Sequence, residues 1–206
     1  MKPFGLTGNM GCGKSTVAQM LSELPDVVIF DGDLVAKQLL ADLHYRAMII
    51  AIVGSDCFDN DRPNSQRISK VIFTDLEKKR KLEALLHPLV WQTTQEQMTA
   101  MGEDKLYILE SAIIYETGSQ DRFSAIIVVK CSEEEQMLRL QINRGMNRQD
   151  IQVRLQQQLS ASEKEKRADI VIDTNCHFDE LYQRVQNLYG QLRQLKQTNP
   201  NKGGPS

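Results

Sequence analysis

The stretch GNMGCGKST, residues 8–16, decides how this chain is read. Gly8 is followed by four residues and then by Gly13, Lys14 and Ser15, which completes the pattern G-x-x-x-x-G-K-[ST] of a phosphate-binding loop, the P-loop. Glycines let backbone amides approach phosphate oxygens with no side chain in the way. Successive amides then form a concavity that holds an anion. Lys14 is expected to reach the β- and γ-phosphates, and the Ser15 hydroxyl to sit on Mg²⁺. A helix starting near Gly13 adds its positive N-terminal end. The expected nucleotide contacts are Asn9, Met10, Gly11, Cys12, Gly13, Lys14, Ser15 and Thr16, with ATP and Mg²⁺ as cofactors.

The pattern carries weight only between a strand and a helix. Residues 3–6 (PFGL) form a short apolar run, and Val17, Met20, Leu21 and Leu24 recur on one helical face. Strand-like runs return at residues 27–30 (VVIF), 106–114 (LYILESAII), 125–129 (AIIVV) and 169–172 (DIVI). Nearly continuous apolar runs fit strands buried on both faces of a parallel sheet. Their alternation with helical patterns predicts an α/β fold, doubly wound around five strands. Residues 34–105 are too long for one crossover and read as helical, which predicts an inserted helical subdomain. The run LEALLHP reads as a helix that ends at His87-Pro88. The polar, Pro- and Gly-containing tail, residues 196–206, is expected to be disordered.

Composition narrows the function. The chain has 206 residues, 41% hydrophobic and 25% charged, which is ordinary for a globular protein. A net charge of −2 argues against a dedicated nucleic-acid binder. No apolar stretch reaches membrane-spanning length, and no basic leader precedes an apolar core, so a cytoplasmic location is expected. The four cysteines form no C-x-x-C pair, so neither a zinc site nor a disulfide framework is expected. Cys12 reads either as a small residue accepted by the P-loop or as a redox-sensitive thiol beside bound phosphate.

Asp31-Gly32-Asp33 follows the second strand run directly. Ligands of open parallel sheets bind beyond the carboxyl ends of the strands, so this pair and the P-loop are expected to serve one crevice. A carboxylate there can take the proton of an attacking hydroxyl, orient Mg²⁺, or cap the helix that follows. Glu110 and Glu116 bracket the third run, and Glu110 is a candidate for a bond to the P-loop, for Mg²⁺ through water, or for an ion pair. Arg139, Arg144, Arg148, Arg154 and Arg167 lie around Gly145, which suits a mobile lid over polyphosphate as well as a solvated basic face. A guanine-binding switch predicts an N-K-x-D stretch that is absent here, and a motor ATPase predicts an acid where the AIIVV run meets Lys130. A small-molecule kinase uses every cluster.

These residues resemble the dephospho-coenzyme A kinase family. The resemblance covers about residues 3–175 and rests on motifs in order: GLTGNMGCGKST, IFDGDLVAKQLL, LEALLHPLV, ESAIIYETG, RLQINRGMNRQDIQVRLQQQ and ADIVIDTN. It implies a P-loop core (residues 1–33, 104–135 and 168–195), a helical acceptor-binding insertion (34–103) and a helical lid (136–167). It implies phosphorylation of the ribose 3′-hydroxyl of dephospho-CoA by ATP, as the last step of coenzyme A biosynthesis. Asp33 would then be the general base, with Lys14, Arg139 and Arg144 as further catalytic groups and Ser15 on Mg²⁺. Asp31, Asp33, His87 and Glu116 would meet the acceptor. Dephospho-CoA would be the small-molecule partner, with no nucleic acid and no membrane, for a monomer or small homo-oligomer. Another P-loop nucleoside or nucleotide kinase, or a nucleotide-binding switch, remains the alternative. Asn9 and Cys12 stand where the family commonly has Gly and Ser, Ala112-Ile113-Ile114 where it has Pro-Leu-Leu, and IDTN where it has IDN.

Overall fold

The computed structural model describes residues 1–198. In chain order its elements are β1 (Phe4–Thr7), α1 (Lys14–Ser22), β2 (Val27–Asp31), α2 (Gly32–Ala41), α3 (Arg46–Val53), β3 (Phe58–Asp59), β4 (Arg62–Pro63) and α4 (Ser65–Thr74). There follow α5 (Leu76–Met101), β5 (Leu106–Glu110), β6 (Ile126–Lys130), α6 (Glu133–Arg144), α7 (Arg148–Leu155), α8 (Ala161–Arg167), β7 (Ile170–Asp173) and α9 (Phe178–Thr198). The chain divides into two compact units, Met1–Phe30 with the chain from Met101 onward, and Asp31–Ala100.

The first unit is built on a five-stranded sheet in the order β2-β5-β1-β6-β7. β1 runs parallel to both β5 and β6, and β6 runs parallel to β7. Both faces are buried, as the unbroken apolar runs demand. Leu6, Ile108 and Ile127 pack on one face with Val17 and Leu21 of α1 and with Leu181, Val185, Leu188 and Leu192 of α9. The intervening Tyr107, Leu109, Ile126 and Val128 are buried as well. Each such aliphatic side chain contributes about 1.5–3 kcal/mol of burial. The α/β sheet expected from the sequence is therefore present.

Several boundaries differ from expectation. The run at 106–114 stops being a strand at Glu110, because its partner β1 is short and the last registered pair is Leu6 with Glu110. Ser111 N–H still reaches Leu6 O, and the chain then turns. Within the helical stretch, α4 and α5 are separated at Asp75. Asp75 closes α4 with its backbone amide, and its side chain accepts from the amides of Glu77 and Lys78 at the start of α5. His87-Pro88 does not end a helix. Pro88 lies inside α5, whose buried positions continue on both sides at Leu82, Leu86, Thr94 and Met98, and this packing outweighs the lost backbone bond. Within the second unit, Val35, Ile49, Val53, Ile68, Leu82 and Leu86 form a separate apolar cluster.

Two further differences concern the C-terminal third. α6 ends at Gly145, which takes the left-handed conformation (φ 59°), so Arg144 and Arg148 belong to different helices. α9 runs on through Thr198, and Lys196 donates to the carbonyls of Glu103 and Lys105, so residues 196–198 are ordered by contact rather than disordered. The remainder of the expected tail, residues 199–206, lies outside the described residues.

Candidate active site

The P-loop joins β1 to α1. Gly8 has φ 148°, and a Cβ there would run into the Val129 carbonyl oxygen, so the first loop position admits only glycine. Gly13 caps α1 in the left-handed region (φ 85°) and offers no side chain to the helix amides. The first intrahelical bond runs from Val17 N–H to Gly13 O. The turn before it supplies the donors that a helix leaves for an anion. An open cavity of about 430 Å³ is lined there by Lys14, Ser15 and Thr16, and by Arg139, Asn143 and Arg144 of α6.

Not every loop residue faces that cavity. Asn9 is buried, and its side-chain amide donates to Leu159 O (3.2 Å). Met10 N–H donates to Gln158 Oε1 (3.0 Å), while Met10 O accepts from Gln136 (2.6 Å). Met10 was expected among the phosphate donors, but its amide is spent on holding the loop to the chain segment after α7. Cys12 N–H turns inward to Asn9 O, and Cys12 O accepts from the Thr174 hydroxyl (2.9 Å).

Around the cavity the structure brings several expected residues together. Ser15 Oγ donates to Glu110 Oε1 (3.1 Å), which is the P-loop bond expected of Glu110. Those two hard oxygen donors fit Mg²⁺, which keeps several waters and needs only one or two protein oxygens beside the nucleotide phosphates. Among the described residues no group of three or more His, Cys, Asp or Glu could hold a metal alone. Arg139 is fixed at three points: Nε to Glu135 (2.8 Å), and its two terminal nitrogens to Thr174 Oγ1 (2.8 Å) and Thr174 O (2.9 Å). Arg144 is exposed on the last turn of α6, so the two arginines differ, one clamped and one reaching into solvent.

Glu116 makes contacts within the chain beside the acceptor contact expected of it. Its Oε1 accepts from Lys164 Nζ (2.8 Å) and from Leu159 N–H (2.8 Å). Lys164 has 0% side-chain exposure and also donates to Ala112 O (2.7 Å). A buried ammonium needs such partners, so Glu116 anchors α8 and the segment before it.

In the second unit the acidic pair divides its labour. Asp31 Oδ1 accepts from the amides of Asp33 (2.9 Å) and Leu34 (3.0 Å), which makes it the N-cap of α2. Asp33 stands in the first turn with an exposed carboxylate. His87 lies half-buried on α5. Thr174, Cys176 and Phe178 also line the P-loop cavity and were not expected from the sequence. Phe178 is 67% exposed in that lining. The aromatic residue in the IDTNCHF stretch was its only signal.

Comparison with known proteins bears on the same residues. Residues 3–180 match the sequence model of a family described as dephospho-CoA kinase. The dephospho-CoA kinase of Aquifex aeolicus is 34% identical over 194 residues, covering 93% of this chain and 98% of that protein. A crystal structure from Thermus thermophilus superposes with a TM-score of 0.81 at 26% identity, covering 93% of this chain and 99% of that one. The dephospho-CoA kinase of Campylobacter jejuni shares the fold, with a TM-score of 0.68 at 21% identity over 93% and 97% of the two chains.

Proposed function

Because the chain belongs to the dephospho-CoA kinase family, we propose that its cavity holds the triphosphate of ATP and that Asp33 activates the acceptor hydroxyl. The enzyme transfers the γ-phosphoryl group of ATP to dephospho-CoA, giving ADP and coenzyme A, the final step of coenzyme A biosynthesis. The observation that carries the site assignment is the convergence of Lys14, Ser15, Arg139 and Arg144 on one cavity at the N-terminus of α1.

Each group has a role set by its chemistry. Lys14 and the first turn of α1 hold phosphate oxygens. Ser15 and Glu110 are the residues that would hold Mg²⁺, which when bound neutralises charge on the phosphates. Arg139, fixed by Thr174 and Glu135, offers preorganised charge to the transferred group, where reorganisation would cost rate. Arg144, beside Gly145, supplies a second cation from the lid, residues 136–167. With Asp31 occupied as a cap, Asp33 is the carboxylate left to accept the proton of the ribose 3′-hydroxyl as the phosphoryl group arrives. His87 and the helical insertion, residues 34–103, contact the acceptor. The reaction asks for positioning and charge neutralisation more than covalent chemistry. The enzyme works in the cytoplasm as a monomer or small homo-oligomer, without nucleic acid. No helix among the described residues is long and apolar enough to cross a membrane.

The deciding experiment measures ADP release from Mg·ATP with dephospho-CoA, AMP, CMP, adenosine or pantothenate as acceptor. Stimulation by dephospho-CoA alone, with a product that co-migrates with coenzyme A, is the expected result. Stimulation by a nucleoside monophosphate instead would overturn the acceptor assignment and leave a P-loop kinase of another specificity.

A further inference from the structure

The P-loop carries a thiol that phosphoryl transfer does not use. Cys12 is 2% exposed and sits in the loop that leaves β1. β6 is the parallel neighbour of β1, registered as Thr7 with Val128, so the segments leaving the two carboxyl ends run side by side. Cys131 is the first residue beyond β6 and precedes Ser132, the N-cap of α6. Both thiols pack into the apolar cluster under the sheet, and the Thr174 hydroxyl bridges the carbonyls of Cys12 (2.9 Å) and of Lys130 (3.3 Å), the residue before Cys131. Gln136 Nε2 also approaches Cys12 Sγ (3.6 Å). Cys57 lies in the other unit, and Cys176 approaches the Asp173 carbonyl instead.

The two thiols are not equivalent. The neighbouring Cys131 thiol and the charge of Lys14 outweigh burial and draw Cys12 down to about 7. The Cys12 thiol and burial push Cys131 up. The thiolate is the reactive form, so Cys12 is the attacking sulfur and Cys131 the proton-bearing one that resolves it.

We propose that Cys12 and Cys131 form a reversible disulfide, with a hydroperoxide as oxidant, and that closing it disables the P-loop. In the first step the Cys12 thiolate attacks one oxygen of hydrogen peroxide, the O–O bond breaks, and the departing hydroxide takes a proton to become water. Cys12 is then a sulfenic acid. In the second step Cys131 loses its proton, its sulfur attacks the Cys12 sulfur, the S–S bond forms and the S–O bond breaks. The released hydroxide takes that proton and leaves as the second water. Two thiols and one peroxide thus give one disulfide and two waters, and a dithiol reverses the reaction.

The loop would be affected because Cys12 is fastened on its other side. Its carbonyl accepts from Thr174 Oγ1, and that hydroxyl in turn accepts from Arg139. Tying Cys12 covalently to the segment before α6 pulls on the loop, on Thr174 and on the arginine together. Displacements of about 1 Å at such a site cost on the order of 10²-fold in rate. Gly11 and Gly13 flank Cys12 and line the cavity, so bound Mg·ATP should cover the path of the oxidant. The loss of turnover rests on the ATP-binding reading above; the disulfide does not.

The test treats the full chain with hydrogen peroxide and divides the sample, reading turnover before and after dithiothreitol on one part and, after the remaining thiols are alkylated in denaturant, intact mass and linked peptides on the other. Expected are a Cys12–Cys131 link, a loss of turnover of roughly 10²-fold restored by the dithiol, and slower linking under Mg·ATP. Cys131→Ser should match the reduced wild type in turnover before oxidation, and stop afterwards at a sulfenic acid on Cys12 that a diketone probe traps. Full alkylation of both cysteines after peroxide, or a link from Cys12 to Cys176 instead, overturns the proposal. A Cys12–Cys131 link with unchanged turnover overturns its regulatory half. Absence of turnover in the reduced wild type, with the link still forming, counts against the kinase assignment and leaves the disulfide standing.

Discussion

Replacing Lys164 by Met is the sharpest test of how α8 is anchored. Met keeps the unbranched stem and removes the ammonium, so little space opens in a site where Lys164 is fully buried. What remains is the Glu116 carboxylate, 17% exposed in its side chain, with the Leu159 amide as its other partner, and an Ala112 carbonyl that has lost the lysine. Removing one member of a buried ion pair typically costs about 3–5 kcal/mol, because the other charge is left without compensation. A domain of this size loses about 2–4 °C of Tm per kcal/mol, so the midpoint should fall by roughly 6–20 °C. Urea unfolding followed by far-UV circular dichroism measures the free energy, and thermal scans measure the midpoint. Glu116→Gln in the same chain should restore most of the loss, since its carbonyl can still accept from Leu159 while the stranded charge is gone. A destabilisation of Lys164→Met below about 1 kcal/mol would refute the reasoning, because it would mean the carboxylate is hydrated as at a surface. So would a double variant no more stable than Lys164→Met alone.

Other outcomes follow from the site. Asp33→Asn should lower kcat by about 10²-fold or more with little change in ATP affinity; near wild-type turnover would remove Asp33 from the base role. Lys14→Ala should lose about 10²-fold or more at saturating ATP, checked by coupled ADP release. Phe178→Ala should raise the KM for ATP several-fold with kcat nearly unchanged, on the expectation that its exposed ring in the cavity stacks on the adenine; equal KM values would leave that ring without a nucleotide role. Iodoacetamide should label Cys12 in the nucleotide-free chain at a rate that climbs as pH rises through about 7, while Cys131 stays unreactive; the thiolate fraction grows with pH, so a rate that is flat from pH 6 to 9 would contradict the lowered value.

What could be read from the sequence was what is local in it. The P-loop spacing, the apolar strand runs and the acidic pair after the second run each sit within a few residues. Their physical meaning, such as a cap at Asp31, follows from short-range geometry. The readings that needed correction depended on a partner elsewhere. The third run looks like a nine-residue strand, but its length is set by β1, which ends at Thr7. Pro88 looks like a stop signal, but packing on both sides carries α5 past it. The ion pair of Glu116 with Lys164, 48 positions away in the sequence, had no local signal. Thr174, which organises both Cys12 and Arg139, gave no sequence signal beyond a threonine where the resembling family has asparagine.

The same strapping of the loop bears on how the protein is made. A motif beginning at the eighth residue is completed by bonds to Gln136, Gln158, Leu159 and Thr174, with separations of 126, 148, 150 and 162 residues. A ribosome that has delivered only the first half of the chain has therefore delivered the whole nucleotide-binding signature and none of its braces. The nascent enzyme reaches its ligand-competent form late, after β7 and the Thr174 that follows it have cleared the exit tunnel. Nucleotide can then act as a template that rewards only finished chains.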